Sequence, residues 1–342
     1  MDFLKGILLP FICFTGTLFG YEVLSIGAPI ADYFVCVSDE EFQGLGLEKD
    51  GWKPISEEEW QSYHTMYPNT SFTLGGSGLN VIKSLSHLGL SCAFLGKMGL
   101  DHLATALLEK MESLNIQCLM QYNDSPTPKM YCFITPDKER TMRTFRGIES
   151  LADLPFSSKD FENVSIFHIA GYEIENKEMV KRAFAIAKSQ KCLISLDLGS
   201  AKLVEQYKED FIEFIKEADI VFGNADEAKA LTSLEPMYAV QQMAKLCPIA
   251  VVTMGEKGGW VKKGKEHYYY PSIQVEVKDT TGAGDFFTSG FLYGLLRKKD
   301  LRDCAYLGAF LASEVIKEIG TDLPEDTWKR IRTQIGDSRL AQ

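Results

Sequence analysis

From Ser165 to Met254 the sequence alternates between short apolar runs and amphipathic stretches, and this alternation leaves few folds open. Ser165–Ala170, Cys192–Leu198, Asp219–Phe222 and Ile249–Met254 read as strands with little polar interruption, the pattern of a sheet buried on both faces. Between them the spacing of apolar residues predicts helices near Glu178–Lys188 and Tyr207–Glu217, and a third from Ala225. Strand–helix–strand units of this length make parallel pairs with right-handed crossovers. The expected fold class is α/β: a doubly wound, mostly parallel sheet with helices on both faces. Glu22–Asp32 adds a buried strand ending in a turn, Cys92–Asp101 another, and a helix is expected over His102–Ser113 with Asp101 as its structural cap.

Helical spacing stops between Gln117 and Arg146. Cys118–Tyr122, Lys129–Thr135 and Thr141–Phe145 are short strand patterns with a hairpin turn at 136–140, and Tyr33–Val37 has the same character. They predict a small β-sheet lid beside the main sheet, which would exclude water from a site. Residues 39–72 are an acidic, aromatic-bearing insert with a short helix at Ser56–Trp60, where Ser56 and Glu59 make a capping box. The expected division is a tail over 1–20 and one domain over 21–342, its lid drawn from about 32–40 and 117–146.

The chemistry concentrates in Asp279-Thr280-Thr281-Gly282-Ala283-Gly284-Asp285. Upstream, Tyr268–Val277 alternates like a strand; downstream, Phe287, Phe291 and Leu295 are spaced like a helix. The amides of Gly282, Ala283 and Gly284 can converge where a helix N-terminus adds partial positive charge. Asp285 stands at the mouth of that anion hole. An anion hole beside a base is what phosphoryl transfer needs, one stabilising the moving group and the other taking the acceptor's proton. A second glycine-opened helix begins at Gly75-Gly76-Ser77-Gly78-Leu79-Asn80, where glycines let a ligand lie against backbone and Asn80 can both donate to and accept from hydroxyls. It is neither a dinucleotide fingerprint nor a Walker A loop, because no third glycine falls at the right offset and no Gly-Lys-Ser/Thr follows.

Both motifs resemble the two signatures of the ribokinase-like (phosphofructokinase B-type) sugar and nucleoside kinases, and the order and spacing of the others agree. The resemblance implies a ribokinase-like fold and ATP with Mg²⁺ as cofactors. It implies that Asp285 is the catalytic base and that Gly282, Ala283 and Gly284 form the anion hole. Asp32, Gly75, Gly76 and Asn80 would bind substrate hydroxyls. In Asn224-Ala225-Asp226-Glu227, Asn224 would contact phosphates and Glu227 would help hold Mg²⁺ through water; as a lone motif this is also an ordinary helix start. Thr253, Gly255 and Gly258 would follow the ATP phosphates and ribose, and Ala312, in a helix over Ala305–Lys317, would wall the adenine pocket. K⁺ activation, with backbone near Asp279 and Thr281, belongs to the same family. The long 39–72 insert and the string Glu139–Phe145 resemble the adenosine-kinase-like branch, so adenosine to AMP is the first expectation. A sugar kinase acting on ribose, fructose or a keto-sugar is the second, and a non-catalytic ligand-binding regulator a remote third. Tyr33, Phe34, Tyr131 and Phe133 are the candidates for stacking a base.

Composition bears on partners. The net charge of −11 and the lack of a basic block argue against nucleic acid or an acidic membrane, so a small molecule is the expected partner, to a monomer or homodimer. Eight cysteines without a Cys-x-x-Cys read as reduced core residues, and five dispersed histidines give no zinc spacing; His168 reads as a satisfied strand histidine. Lys5 precedes an apolar run, Ile7–Phe19, the size of a signal-peptide core and short for a membrane span. An ATP-dependent enzyme outside the cell would lack its donor, so a cytoplasmic chain with a tail or an over-called start is expected, with export as the alternative.

Overall fold

The computed structural model describes residues 20–49, 51–147 and 150–336. In chain order the first strands are β1 (Val23–Gly27), β2 (Ile30–Cys36), β3 (Gly51–Pro54), β4 (Phe72–Gly75), β5 (Cys92–Gly99), β6 (Ile116–Asn123) and β7 (Lys129–Ile134). There follow β8 (Arg140–Phe145), β9 (Ile166–Ala170), β10 (Leu193–Asp197), β11 (Ile220–Asn224), β12 (Ile249–Thr253), β13 (Gly259–Lys263) and β14 (Glu266–Tyr270). Nine of them form one sheet in the order β14-β13-β12-β11-β10-β9-β1-β5-β6. Neighbours from β12 to β6 are parallel, and β13 and β14 close one edge as an antiparallel pair. The α/β, doubly wound reading holds. Adjacent residues of each strand supply opposite faces, as a two-residue period requires: Val23, Phe94 and Ile220 join one apolar cluster, Leu24, Ala93 and Val221 the other. The chain order reverses between β1 and β9, which opens a crevice at the carboxyl ends of those strands.

The five other strands form the lid, in the order β3-β8-β7-β2-β4. Its boundaries differ from the sequence expectation. β6 pairs in parallel with β5 over its whole length and belongs to the main sheet, while β3, inside the 39–72 insert, and β4, which starts at its last residue, belong to the lid. The alternation along the lid strands explains the insert. Tyr33, Tyr131 and Phe133 face outward and pack on Trp60 and Tyr63 of the helix Glu57–Met66. Burying each such ring contributes roughly 1.5–3 kcal/mol. Those three rings are therefore lid core and cannot stack on a substrate base. Phe34 lies on the inner face, against Gly320.

Four local expectations change. Asp32 is not on a turn; it is the third residue of β2, opposite Thr73. The insert helix runs on to Met66, because Trp60 and Tyr63 continue its buried face. Its capping box is only half made: Ser56 Oγ accepts from the Glu59 amide at 3.2 Å, while the Glu59 carboxylate accepts from the Tyr63 hydroxyl. The strand before the 279–285 loop ends at Tyr270, since Pro271 has no N–H to continue the ladder. His168, expected as a satisfied strand histidine, is satisfied at one nitrogen: it is buried, bonded at Nδ1 to Ser195 Oγ (3.0 Å), and held neutral by burial, which pushes it down to about 3, while its Nε2 has no hydrogen-bond partner among the described residues. Asp101 caps the helix His102–Ser113 and accepts from Thr127 as well. The described cysteines are unpaired. The apolar run Ile7–Phe19 lies outside the described residues, and among those described no helix is long and apolar enough to cross a membrane.

Candidate active site

A cavity of about 460 Å³ occupies the crevice, floored by the carboxyl ends of β1, β9, β10, β11 and β12 and roofed by β2, β7 and β8 of the lid. Asp32, Gly76 and Asn80 line it, as do Asn224, Glu227 and Thr253, and all of Gly282–Asp285. Asp32 and Asp285, 253 positions apart in sequence, thus meet at one place.

Asp285 belongs to the first turn of the helix Ala283–Leu296. Gly282 precedes it as the N-cap with φ 73°, a left-handed conformation open to glycine, and a Cβ there would come within 2.6 Å of Thr321 Cγ2. A Cβ on Gly284 would meet nothing within 4 Å, so its backbone faces open space. The Ala283 amide instead makes a long bond (3.3 Å) to the Thr280 carbonyl, which leaves the anion hole chiefly to the remaining first-turn amides. Asp285 Oδ1 accepts from Ser77 Oγ (2.7 Å) and Oδ2 from Asn80 Nδ2 (2.8 Å). Burial pushes its carboxyl up to about 6, opposed by those two hydrogen bonds and by the charges of Lys83 and Arg140. A carboxylate in that range can both hold and release a proton near neutrality.

Asp32 is buried, and its Oδ1 has no hydrogen-bond partner among the described residues. Burial pushes its carboxyl up to about 8; Lys83 opposes this, while Asp322 and Asp285 add to it. Gly75 does not line the cavity. It makes room for Asp32, since a Cβ at this position would overlap the carboxylate. Gly76, with φ 102°, caps the helix Ser77–His87, and a Cβ there would press on the Ala28 carbonyl at 2.9 Å. An unpartnered buried acceptor beside bare backbone suits a hydroxyl-bearing ligand, whose donors would complete it.

Asn224 and Glu227 form a complete capping box at the start of the helix Ala225–Thr232: Asn224 Oδ1 accepts from the amides of Asp226 and Glu227, and Glu227 Oε2 accepts from the Asn224 amide (2.8 Å). The helix-start reading and the site reading are thus both realised by one pair. Glu227 is buried, and burial drives its carboxyl up to about 7, opposed by the hydrogen bond from the Asn224 amide and aided by Asp226 and Asp285; burial, then the charges of Glu227 and Asp285, drives up Asp197, at the end of β10. The charges that act on this pair are all carboxylates: Asp226 and Asp285 on Glu227, and Glu227 and Asp285 on Asp197. Among the described residues no three or more His, Cys, Asp or Glu side chains gather to hold a metal by themselves. Two carboxylates without a cationic partner fit Mg²⁺ shared with phosphates and water, the usual mode for that ion.

The other expected residues lie outside the cavity lining. Gly255 and Gly258 form the turn between β12 and β13, both with positive φ, and a Cβ on Gly258 would collide with the Tyr270 carbonyl. Ala312 sits in the helix Leu301–Val315 and packs on the core. Ser77, Trp52, Tyr172 and Glu173, which line the cavity, were missed as site residues, as were four more in or around it. Asp197 ends a buried strand and is followed by Gly199, whose amide it accepts, a readable signal. Lys83 is a lone charge on the apolar face of the helix Ser77–His87, which is also readable. Arg140 looked like part of a hairpin turn, and Thr321 like a loop residue; nothing local in the sequence marks either.

Backbone N–H groups at a helix N-terminus, a carboxyl tuned towards neutrality and a covering lid suit phosphoryl transfer on an α/β fold. A family model described as pfkB family carbohydrate kinase matches residues 55–328, and the chain belongs to that family. The fold superposes on a probable sugar kinase from Rhizobium etli (28% identity, TM-score 0.85, 92% of this chain and 98% of that one). It superposes as well on adenosine kinase from Sinorhizobium meliloti (27% identity, TM-score 0.85, 92% and 99%). In sequence it is 27% identical to adenosine kinase from Schizosaccharomyces pombe over 337 residues, 89% of this chain and 96% of the relative. The chain is a kinase whose relatives phosphorylate nucleosides or sugars, with ATP as the donor the family implies.

Proposed function

We propose that this chain transfers the γ-phosphoryl group of ATP to the 5′-hydroxyl of adenosine, giving AMP and ADP. The observation that carries the nucleoside over the bare sugar is an aromatic wall in the cavity. Trp52, contributed by the insert strand β3, and Tyr172 lie with ring centroids 6.4 Å apart, beside Glu173. A free sugar held at Asp32 and Asn80 would leave this wall idle, whereas a base would use its faces and offer an amino group to the carboxylate. The similarity to proteins called adenosine kinases supports the same reading.

In this reading Asp32, Gly76 and Asn80 hold the ribose, with Gly75 making room for Asp32. Asp285 takes the proton of the primary hydroxyl as its oxygen bonds to the γ-phosphorus. The bond from that phosphorus to the β-phosphate oxygen breaks, and its electron pair leaves with ADP. The N–H groups of Gly282 and Gly284 stabilise the charge on the moving group, joined by that of Ala283 when its long bond to the Thr280 carbonyl opens. Asn224 and Thr253, with the Gly255–Gly258 turn, line the path of the ATP phosphates, and Ala312 backs the ATP base. Glu227 and Asp197 would hold Mg²⁺ through water; when bound, that ion neutralises phosphate charge. For K⁺ the supporting feature is the buried, fully bonded Asp279. It accepts from Thr281 N and Oγ1 and from the Gly320 amide, and so braces the loop next to the anion hole. The need for ATP favours a site inside the cell.

The test is a panel of adenosine, guanosine, ribose and fructose with ATP·Mg²⁺, read as ADP release and by ³¹P NMR of the product. Adenosine turned over best, with a 5′-monophosphate as product, is the expected result. Faster turnover of ribose or fructose would replace this reading with the sugar-kinase one.

A further inference from the structure

Asn80 and Lys83 lie three residues apart on one face of the helix Ser77–His87, and both are buried. Lys83 Nζ has three donors and no acceptor, and three partners: the Leu74 carbonyl (2.7 Å), Thr321 Oγ1 (2.9 Å) and Asp322 Oδ1 (2.6 Å). Thr321 Oγ1 therefore accepts a hydrogen bond from Lys83 and turns its own O–H elsewhere. It donates to Asn80 Oδ1 at 3.1 Å. With its carbonyl so engaged, Asn80 turns its NH₂ to Asp285 Oδ2, at 2.8 Å. An ionised Asp285 only accepts, so both ends of the chain impose the same direction. A flipped Asn80 would set carbonyl oxygen against carboxylate oxygen and leave Thr321 facing a donor. Lys83 and Thr321 are each 1% exposed, so water cannot take over either link.

We propose that Lys83 and Thr321 are positioning residues that fix the direction of the hydrogen-bond chain ending on Asp285, so that Asn80 always presents its NH₂, never its carbonyl, to the base. The proposal rests on Asp285 acting as the proton acceptor. Thr321 links two parts of the site: its hydroxyl orients Asn80, while its methyl packs against Gly282 of the anion hole. The charged groups facing Asp285 are Lys83 from the helix Ser77–His87, Arg140 from β8, Asp32 from β2, Asp197 from β10 and Glu227 from the helix Ala225–Thr232. Of these only Lys83 touches Thr321, so removing the hydroxyl takes one of its three acceptors away but leaves its bonds to Leu74 and Asp322, while the other four groups are untouched.

The test is Thr321→Val, which keeps the shape and removes the hydroxyl, against Thr321→Ser, which keeps the hydroxyl. The readout is kcat/KM for the best acceptor of the panel from pH 5 to 9, with KM for ATP beside it. Losing an assured donor raises the base's pKa. A rise of about one unit lowers kcat/KM roughly fivefold at pH 6 and by about a tenth at pH 8. Thr321→Ser, which loses the methyl beside Gly282 but keeps the donor, should leave the acid limb at its wild-type position, and KM for ATP should not move in Thr321→Val. If Thr321→Val does not fold, Thr321→Ala should give the same displaced acid limb. An acid limb that stays in place in Val or Ala variants, while Asp285→Asn is inactive, overturns the relay and leaves the base reading standing. Turnover by Asp285→Asn would sink the base reading itself.

Discussion

Asp32→Asn separates what the buried carboxylate does to the fold from what it does for the ligand. The usual carboxyl value is 3.8, and burial pushes Asp32 up to about 8 in the folded chain. The unfolded chain thus releases this proton about four units before the native state does. For a group raised in the fold, the destabilisation is absent below 3.8, grows between 3.8 and 8, and is complete above 8. At about 1.4 kcal/mol per unit, Asp32 destabilises the protein at pH 7 by on the order of 4 kcal/mol. Asparagine cannot ionise, so the substitution removes this burden. It leaves a buried amide with unmet donors, which costs about 1–3 kcal/mol at any pH. That constant cancels in a comparison of two pH values. Between pH 5 and pH 7.5 the stability of Asp32→Asn relative to wild type should rise by roughly 3 kcal/mol, read from urea unfolding with unchanged m values. Acceptor KM should rise much more than KM for ATP. An equal stability difference at both pH values would refute the reasoning, because Asp32 would then ionise as in water.

Glu227→Gln keeps an oxygen for the Asn224 amide but gives up the bond from Asn224 Nδ2 and the charge, so the Mg²⁺ concentration for half-maximal activity should rise about tenfold. An unaltered Mg²⁺ titration would count against its role. Trp52→Ala should raise KM for the nucleoside by about tenfold, the equivalent of ~1.4 kcal/mol of lost ring contact, and leave KM for a slowly used free sugar unchanged. Equal effects on both acceptors would mean that Trp52 only supports the lid through its bond to Thr144 Oγ1.

Features with a local cause could be read before the structure was known. β1, β5 and β9 are buried residue by residue, and their apolar runs said so. The helix His102–Ser113 begins where Asp101 can cap it. The glycine-marked residues were found for the same reason: a turn with φ 73° at Gly282 or 102° at Gly76 tolerates few other residues. Features set by long-range pairing could not be read. β6 resembles the lid strands in composition, yet its partner is β5, and only the register of the main sheet decides that. Tyr33, Tyr131 and Phe133 alternate correctly for a lid, but which face meets the cavity depends on the helix Glu57–Met66 covering the other. Thr321 acts through Asn80 and Lys83, more than two hundred residues away, so its neighbourhood in sequence carries no sign of it.

The most direct measurement compares wild type with Asp285→Asn for ADP formation from ATP·Mg²⁺ and adenosine, with ATP binding followed in parallel by calorimetry. Wild type should release one ADP for each AMP formed. Asp285→Asn should bind ATP almost unchanged and lose turnover by at least about a thousandfold, the scale of losing a base held against its proton. Phosphoryl transfer at near wild-type rate by Asp285→Asn, or no transfer to any nucleoside or sugar by the wild type, would contradict the account.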